Sequence, residues 1–368
     1  MKTVIVTDGK YRMSIAAVRA LGRDGWRVVL TQTRSEAEGT PPVFSSRYAT
    51  ATHMIEGSVK DAEYKDRLLA VIKEYDRPVL FALSATTLNT VSRYADEFKE
   101  VCDLLVSAPE VLDALNDKET VHARASELGL PVPKQYVGEP DAYPVVIKPH
   151  CGEKLGLTAA DRYTIANNKE EFETKIAKMR QYDPEPIAQQ KVEGDGMGAC
   201  LLIDADGTLI NAVCHRRIRE YPITGGPSSC CESFYSEKMI ADAYALLSSF
   251  GFTGMAMVEY KGEYILEVNP RVWGSYPMTV CCDSHFTEDY ARACAGEKLE
   301  YRPASYKQGV RMRFTLNDGM STISHLLKGH FKAAFGGVRD FFAAQEALKA
   351  KDDKAPYRKY LWKSIVRR

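Results

Sequence analysis

Glu259, Glu267 and Asn269 fall within one stretch, GMAMVEYKGEYILEVNPRVWGSY (254–276), followed at once by Pro270 and Arg271. Three hard oxygen donors beside an arginine suit Mg²⁺ carrying a polyphosphate. This ion favours carboxylate and carbonyl-type oxygens and commonly keeps phosphate oxygens in its octahedral shell. The stretch reads as two short apolar strands joined at Lys261-Gly262-Glu263. Glu267 and Asn269, two apart, share a face of their strand. Glu259 joins them only if the loop is odd in length or a bulge has the same effect; a plain two-residue turn would set it opposite. The odd loop or the bulge is expected. The rival reading is a surface hairpin with solvated acids. Against it, Pro270 stops the ladder and Arg271 has no structural duty visible in the sequence.

A second group lies upstream. Lys148 ends an apolar run, Val-Val-Ile-Lys-Pro-His, and a lysine there is costly to desolvate without an anionic partner. The segment 151–156 follows, with Gly152 and Gly156 able to let backbone amides approach phosphate oxygens. Lys118 opens a helix and is a second candidate cation, with a solvated helix start as its rival. The segment QQKVEG (189–194), if extended, could present its own amide and carbonyl to a base edge while Val192 packs on the base's face. A third group, His215-Arg216-Arg217-Ile218-Arg219-Glu220 followed by Thr224-Gly225-Gly226-Pro227-Ser228-Ser229, suits a carboxylate. Arginine forks and turn amides match its oxygens. Alternation sends Arg217 and Arg219 to one face and Arg216 to the other. A strand with surface ion pairs is weighed equally.

These groups need elements to hold them. Residues 1–105 alternate strand-like runs (4–8, 26–33, 78–83) with helical patterns (14–25, 68–75), the rhythm of a parallel, doubly wound sheet. No Gly-x-Gly-x-x-Gly follows the first strand, so a dinucleotide fingerprint is absent. Ser84, Thr86 and Thr87, past a strand end, are read as helix caps in preference to ligand contacts. Residues 106–135 read as one helical stretch, 144–217 as strands around a helix near 170–182, and 321–350 as helix. The fold class is therefore α/β plus α+β, with boundaries at 1–105, 106–300 and 301–368.

Composition narrows the function. The chain has 368 residues with 49 basic and 49 acidic side chains, so no global field recruits nucleic acid. No run nears the roughly 18 apolar residues of a spanning helix, and the start does not read as a signal peptide. Nine scattered cysteines without Cys-x-x-Cys fit a reducing cytoplasm and form neither a disulfide framework nor a zinc site. The pairs Cys230-Cys231 and Cys281-Cys282 are read as buried, with a catalytic thiol disfavoured. The last 23 residues hold eight basic and three acidic side chains. A helix docked on the body is preferred there to a peripheral membrane contact.

In order and spacing, Lys118, Lys148-Pro149 with Gly152 and Gly156, Gln189 with Gly194, Glu259 and Glu267-Val268-Asn269-Pro270-Arg271 resemble the ATP-grasp superfamily of carboxylate–amine ligases. The likeness includes the ATP-binding domain of carbamoyl phosphate synthases and spans roughly 110–275. It implies a Rossmann-like N-terminal domain, an ATP-grasp domain of two α+β subdomains clasping ATP, and a partly helical C-terminal extension. It further implies that Lys118 and Lys148 bind ATP phosphates under the 151–156 loop. Lys191 and Val192 would meet adenine with Gln190 adjoining, and Asp195 is assigned to the ribose. Glu259, Glu267 and Asn269 would hold Mg²⁺, with Mn²⁺ as an alternative. Arg271, with Lys148, would act on the transferring phosphoryl group. Arg216, Arg217, Gly225, Gly226 and Ser228 are the acceptor-site candidates. Glu153 and Lys154 replace the serine and glycine of many relatives. The implied reaction activates a carboxylate as an acyl phosphate for attack by an amine. Its rivals are another ATP-grasp outcome, such as carboxylation or carbamoyl-phosphate-like chemistry, and a silent nucleotide-binding scaffold. Partners would be small acids and amines, and self-association would give a homodimer.

Overall fold

A computed structural model describes residues 2–150, 157, 163–223 and 225–366. Three sheets organise it. The first is all parallel, in order β3-β2-β1-β4, from β1 (Thr3–Val6), β2 (Arg27–Thr33), β3 (Ala49–Ile55) and β4 (Val79–Phe81). Helices α1 (Arg12–Arg23), α2 (Tyr64–Ile72), α3 (Ala85–Arg93) and α4 (Ala95–Val101) cover it. Its strands are apolar on both faces, as a doubly covered parallel sheet requires. Val4 and Val6 pack on α1, whereas Ile5 and Val29 pack among residues of α2 and α4. The reading of 1–105 missed β3, ATATHMI, whose small and polar residues are only partly buried at the sheet edge. Ser84 caps α3, accepting from the Thr87 amide at 3.1 Å, as expected.

The helical stretch expected over 106–135 is two helices, α5 (Pro109–Asn116) and α6 (Lys118–Glu127). Asp117 separates them because its carboxylate accepts from the Thr120 amide at 2.8 Å, capping the second helix. The small sheet follows, in order β5-β8-β6-β7. It is built from β5 (Gln135–Tyr136), β6 (Val145–Lys148), β7 (Thr164–Ala166) and β8 (Ile187–Gln190), with α7 (Lys169–Met179) on one face.

The large sheet runs β13-β12-β9-β10-β11-β14-β15. Its first five strands in sequence are β9 (Gly196–Ile203), β10 (Leu209–Glu220), β11 (Ser228–Phe234), β12 (Gly254–Lys261) and β13 (Tyr264–Asn269), with α8 (Glu237–Ser248) between β11 and β12. Alternation along β9 divides its faces. Ala199, Leu201 and Ile203 pack with residues of α5, α6 and α8, and Cys200 and Leu202 pack toward α1 and the N-terminal sheet. Helices α9 (Pro277–Cys281) and α10 (Phe286–Cys294) join that second core, where Trp273, Tyr276 and Phe286 stack edge to face.

The C-terminal residues complete this sheet. β14 (Arg311–Arg313) pairs with β11, and β15 (Gln345–Glu346) pairs parallel to β14. Between them stand α11 (Thr315–Leu327) and α12 (Phe331–Ala343), where the sequence suggested one helical stretch over 321–350. Gly329, in the left-handed region at φ 74°, lies in the turn between them. The last helix, α13 (Ala355–Val366), docks on the N-terminal region, with Lys363 donating to the Glu38 and Thr40 carbonyls.

Candidate active site

The acidic hairpin is built from β12 and β13. They are joined by the two-residue turn Gly262-Glu263, which alone would put Glu259 on the wrong face. Pairing begins Lys261↔Tyr264 and Tyr260↔Ile265, then shifts to Glu259↔Glu267, leaving Leu266 as the extra residue of a bulge. Of the two expected devices the structure has the bulge. Residues directly opposed across an antiparallel pair project from the same face. Glu259, Glu267 and Asn269 therefore converge, and the Asn269 amide nitrogen donates to Glu259 Oε1 at 3.0 Å.

A residue that the sequence reading did not single out holds this register. His122 of α6, 3% exposed, donates from Nε2 to the Leu266 carbonyl at 2.9 Å, and its Nδ1 accepts from Gln135 Nε2 at 3.2 Å. Burial and the nearby Lys148 charge push its pKa down to about 4, so the ring is neutral. A lone histidine inside a helix gives no sign of this duty.

Lys118, the first residue of α6, sets its ammonium 3.3 Å from Glu267 Oε2. Lys148, at the end of β6, is 8% exposed, and burial together with the Lys118 charge pushes it down to about 7. Burial and the charge of Glu267 push Glu259 up. For Glu267 burial is outweighed by Lys118 and Lys148, which hold its carboxyl below the ordinary range. Two carboxylates thus repel each other beside two ammonium groups that also repel. A divalent cation relieves the first conflict and a polyphosphate the second. Among the described residues no group of three or more His, Cys, Asp or Glu converges; the donor set is two carboxylates and an amide. Its oxygen-only chemistry fits Mg²⁺. Arg271 is half-buried, and its charge acts on both carboxylates.

The linker after β8 rests on the hairpin turn. A Cβ on Gly194 would lie 2.6 Å from the Gly262 Cα, so the two backbones meet only as glycines, and the Gly262 amide donates to the Asp195 carbonyl at 3.0 Å. Gln190 and Lys191 use their amides on the Lys134 and Pro144 carbonyls. Val192 is buried, whereas the Asp195 side chain is exposed. Gly152, Gly156, Glu153 and Lys154 lie outside the described residues. Just before them, His150 bridges Asp183 and Glu119 at 3.0 Å each, a tie between the small lobe and α6 that the sequence did not signal.

The arginine cluster divides differently from its alternation. A register shift at Ile218 pairs Arg217 with Cys231 and Arg219 with Cys230, so these two arginines part. Arg219 turns to buried Asp318 and Asp340, at 2.8 Å each, and Arg216 pairs with Glu232. Arg217 alone reaches the acidic hairpin, 3.7 Å from Glu259, while its Nε donates to Ser228 Oγ at 3.1 Å. The bulge reverses the alternation, which corrects the expected sharing of a face by Arg217 and Arg219. Arg216, before the bulge, follows ordinary alternation and lies on the face opposite Arg217, away from the carboxylates, so it is not brought to the site. Gly225 packs against the Tyr163 ring and Gly226 against Tyr221; Thr224 lies outside the described residues.

Beside Glu259 and Arg217 opens a cavity of about 80 Å³, with His215, Ser228, Gly274 and Ser275 also on its wall. His215 is kept neutral by burial and by Arg217, its pKa lowered to about 4, and its Nε2 meets Ser275 Oγ at 2.8 Å. The cysteine pairs bring no nucleophile. Burial pushes the Cys230, Cys281 and Cys282 thiols up to about 12 and raises Cys231 well above the ordinary thiol value.

Residues 115–275 match the family model described as ATP-grasp domain. The carbamoyl phosphate synthase large chain of Deinococcus radiodurans is 22% identical over 331 residues, covering 81% of this chain and 31% of that protein. This chain thus spans about a third of that curated relative's length. The biotin carboxylase–β,γ-ATP complex of Campylobacter jejuni superposes with a TM-score of 0.63 at 15% identity, covering 84% of this chain and 74% of that one. The biotin carboxylase domain of Hydrogenobacter thermophilus 2-oxoglutarate carboxylase, with MgADP, ADP and bicarbonate, gives 0.63 at 13%, covering 84% and 73%. An L-amino acid ligase from Bacillus licheniformis gives 0.57 at 15%, covering 82% and 78%. These likenesses establish the fold.

Proposed function

We propose, from the ATP-grasp domain that residues 115–275 carry, that this protein is a Mg-ATP-dependent ligase. It activates a carboxylate as an acyl phosphate for attack by an amine, giving an amide, ADP and phosphate. The observation that carries this reading is the Glu259–Glu267 pair set by the bulge, with Lys118 and Lys148 brought against it from α6 and β6. Lys118 and Lys148 hold the triphosphate, and Arg271 offsets charge on the γ-phosphoryl group, so catalysis is mainly positioning and charge neutralisation. Glu259, Glu267 and Asn269 are the groups that would hold Mg²⁺, which supplies Lewis-acid charge neutralisation when bound. Arg217 presents its guanidinium to the acid substrate. A carboxylate oxygen attacks the γ-phosphorus as its bond to ADP breaks. The amine then attacks the acyl carbon, and phosphate leaves with the amine proton.

The 80 Å³ cavity beside Arg217 favours a second reading in which the acid is very small, such as bicarbonate, and the product is a carboxylated or carbamoyl-phosphate-like species. Incubating the protein with Mg-ATP and pooled acids and amines separates these readings. ADP release that needs both an acid and an amine, with an amide found by mass spectrometry, supports the ligase. Release with bicarbonate alone supports the second reading. Nucleotide binding without turnover across the panel sinks both.

A further inference from the structure

The hairpin of α11 and α12 carries two apolar stripes that the body of the protein leaves uncovered. One is Ile323 and Leu327, exposed, in line with half-buried Leu316 and Met320; the other, exposed throughout, is Phe331, Phe335, Val338 and Phe342. Residues spaced four, three and four apart share one face of a helix. The buried residues are elsewhere on each helix: Asp318 and Ser321 on α11, Ala334, Gly337 and Asp340 on α12. Exposure reaches 82% at Leu327, 75% at Phe335 and 84% at Phe342. Large apolar residues exposed in rows mark an interaction surface, whereas scattered ones do not.

The hairpin's charges are segregated too. Both its acids are buried: Asp318 is held by Arg219, and Asp340 by Arg219 at 2.8 Å and Arg311 at 2.7 Å. Its surface charges are cationic: Lys328, Lys332 and Arg339, the last also 3.4 Å from Asp340, with exposed His330 beside them. A cavity of about 780 Å³ opens between the hairpin and β10, edged by Arg219, His325, His330, Phe331, Lys332 and Arg339. The two helices cannot close over their own stripes. A Cβ on Gly337 would lie 2.1 Å from Thr322 Oγ1, so they already meet as closely as a glycine allows.

We propose that this hairpin seats on an anionic lipid surface, its stripes entering the headgroup boundary and Lys328, Lys332 and Arg339 meeting lipid phosphates. Each helix has 13 residues, about 20 Å at the α-helical rise. That is too short to cross a hydrocarbon core of roughly 30 Å but suited to lying in its interface. No described helix is long and apolar enough to span. A second copy of the chain is the weaker occupant. A two-fold contact through this face would bring its cations toward the same cations of the partner, with no exposed acid on the hairpin to answer them.

Co-sedimentation of the full chain with phosphatidylcholine vesicles, with and without phosphatidylglycerol, tests the proposal. Binding should require phosphatidylglycerol and weaken with salt. Phe335→Asp with Phe342→Asp should abolish it. Lys328→Ala with Lys332→Ala should weaken it roughly tenfold to thirtyfold. All four side chains are exposed, so melting temperature and ATP binding should be unchanged. Failure to bind anionic vesicles, or equal binding by the wild type and both double variants, overturns the proposal. A dimer seen by light scattering that Phe335→Asp dissolves would overturn it as well, by assigning the stripes to a second copy.

Discussion

Replacing His122 with leucine should impair the acidic hairpin without removing any of its oxygens. The His122 Nε2–H supplies the hydrogen bond to the carbonyl of Leu266, the bulged residue that turns Glu267 onto the face of Glu259. Leucine fills most of the same volume but donates nothing. Leaving this part-buried carbonyl unpaired costs about 1–3 kcal/mol at most. At about 2.1 cal/mol/K per residue, unfolding all 368 residues carries an entropy of about 0.8 kcal/mol/K, so the melting temperature should fall by about 1–4 °C. The effect on function should exceed the effect on stability, because losing the partner that orients a metal ligand weakens metal affinity about tenfold to a hundredfold. A Mg²⁺ titration of nucleotide turnover or binding, run beside thermal melts, reads both quantities. His122→Gln, whose amide nitrogen reaches about as far as Nε2, should recover most of the Mg²⁺ dependence. A leucine variant that melts lower but titrates like the wild type would refute the reasoning and make His122 a core residue only. Equal impairment of the glutamine variant would do the same.

Glu267→Gln keeps the shape but loses the charge that faces Lys118, and Mg²⁺-dependent turnover should drop about a hundredfold or more with the fold intact by circular dichroism. Near-wild-type turnover would count against the metal assignment. Lys148→Ala should weaken ATP binding by about tenfold to a hundredfold in calorimetry, and an unchanged affinity would mean the residue is misplaced. Arg219→Leu leaves Asp318 and Asp340 buried without their shared partner. Breaking such a network costs about 3–5 kcal/mol, and a denaturant midpoint that does not move would show the pairs to be unimportant. His150 has its pKa raised: burial opposes its charge, but hydrogen bonds to Asp183 and Glu119 outweigh it. Its contribution is therefore complete below the unfolded value and fades as pH rises through the raised one. The melting temperatures of wild type and His150→Ala should converge between pH 6 and pH 9, and a gap constant across that range would contradict the ion-pair role.

Local chemistry made part of this protein legible. The apolar runs at 4–8 and 144–149 could hardly be anything but buried strands, and both are. Strand alternation, a local rule, put Glu267 and Asn269 on one face of their strand beside Arg271, and the ATP-grasp family model covers that stretch. Where an element depended on its neighbours, the signal failed. Ala49–Ile55 forms a strand at a sheet edge with little apolar content of its own, and the helices on either side of Asp117 looked like one periodic segment.

The sequence by itself determined which side chains could bind a metal and a polyphosphate, since that follows from residue type and short spacing. Only the tertiary structure decided which of them meet. The bulge at Leu266 united Glu259 with Glu267, the bulge at Ile218 separated Arg217 from Arg219, and His122 reached the hairpin from 144 residues away. One extra residue in a strand inverts every later side chain, and whether it is tolerated depends on partners that lie far off in the chain.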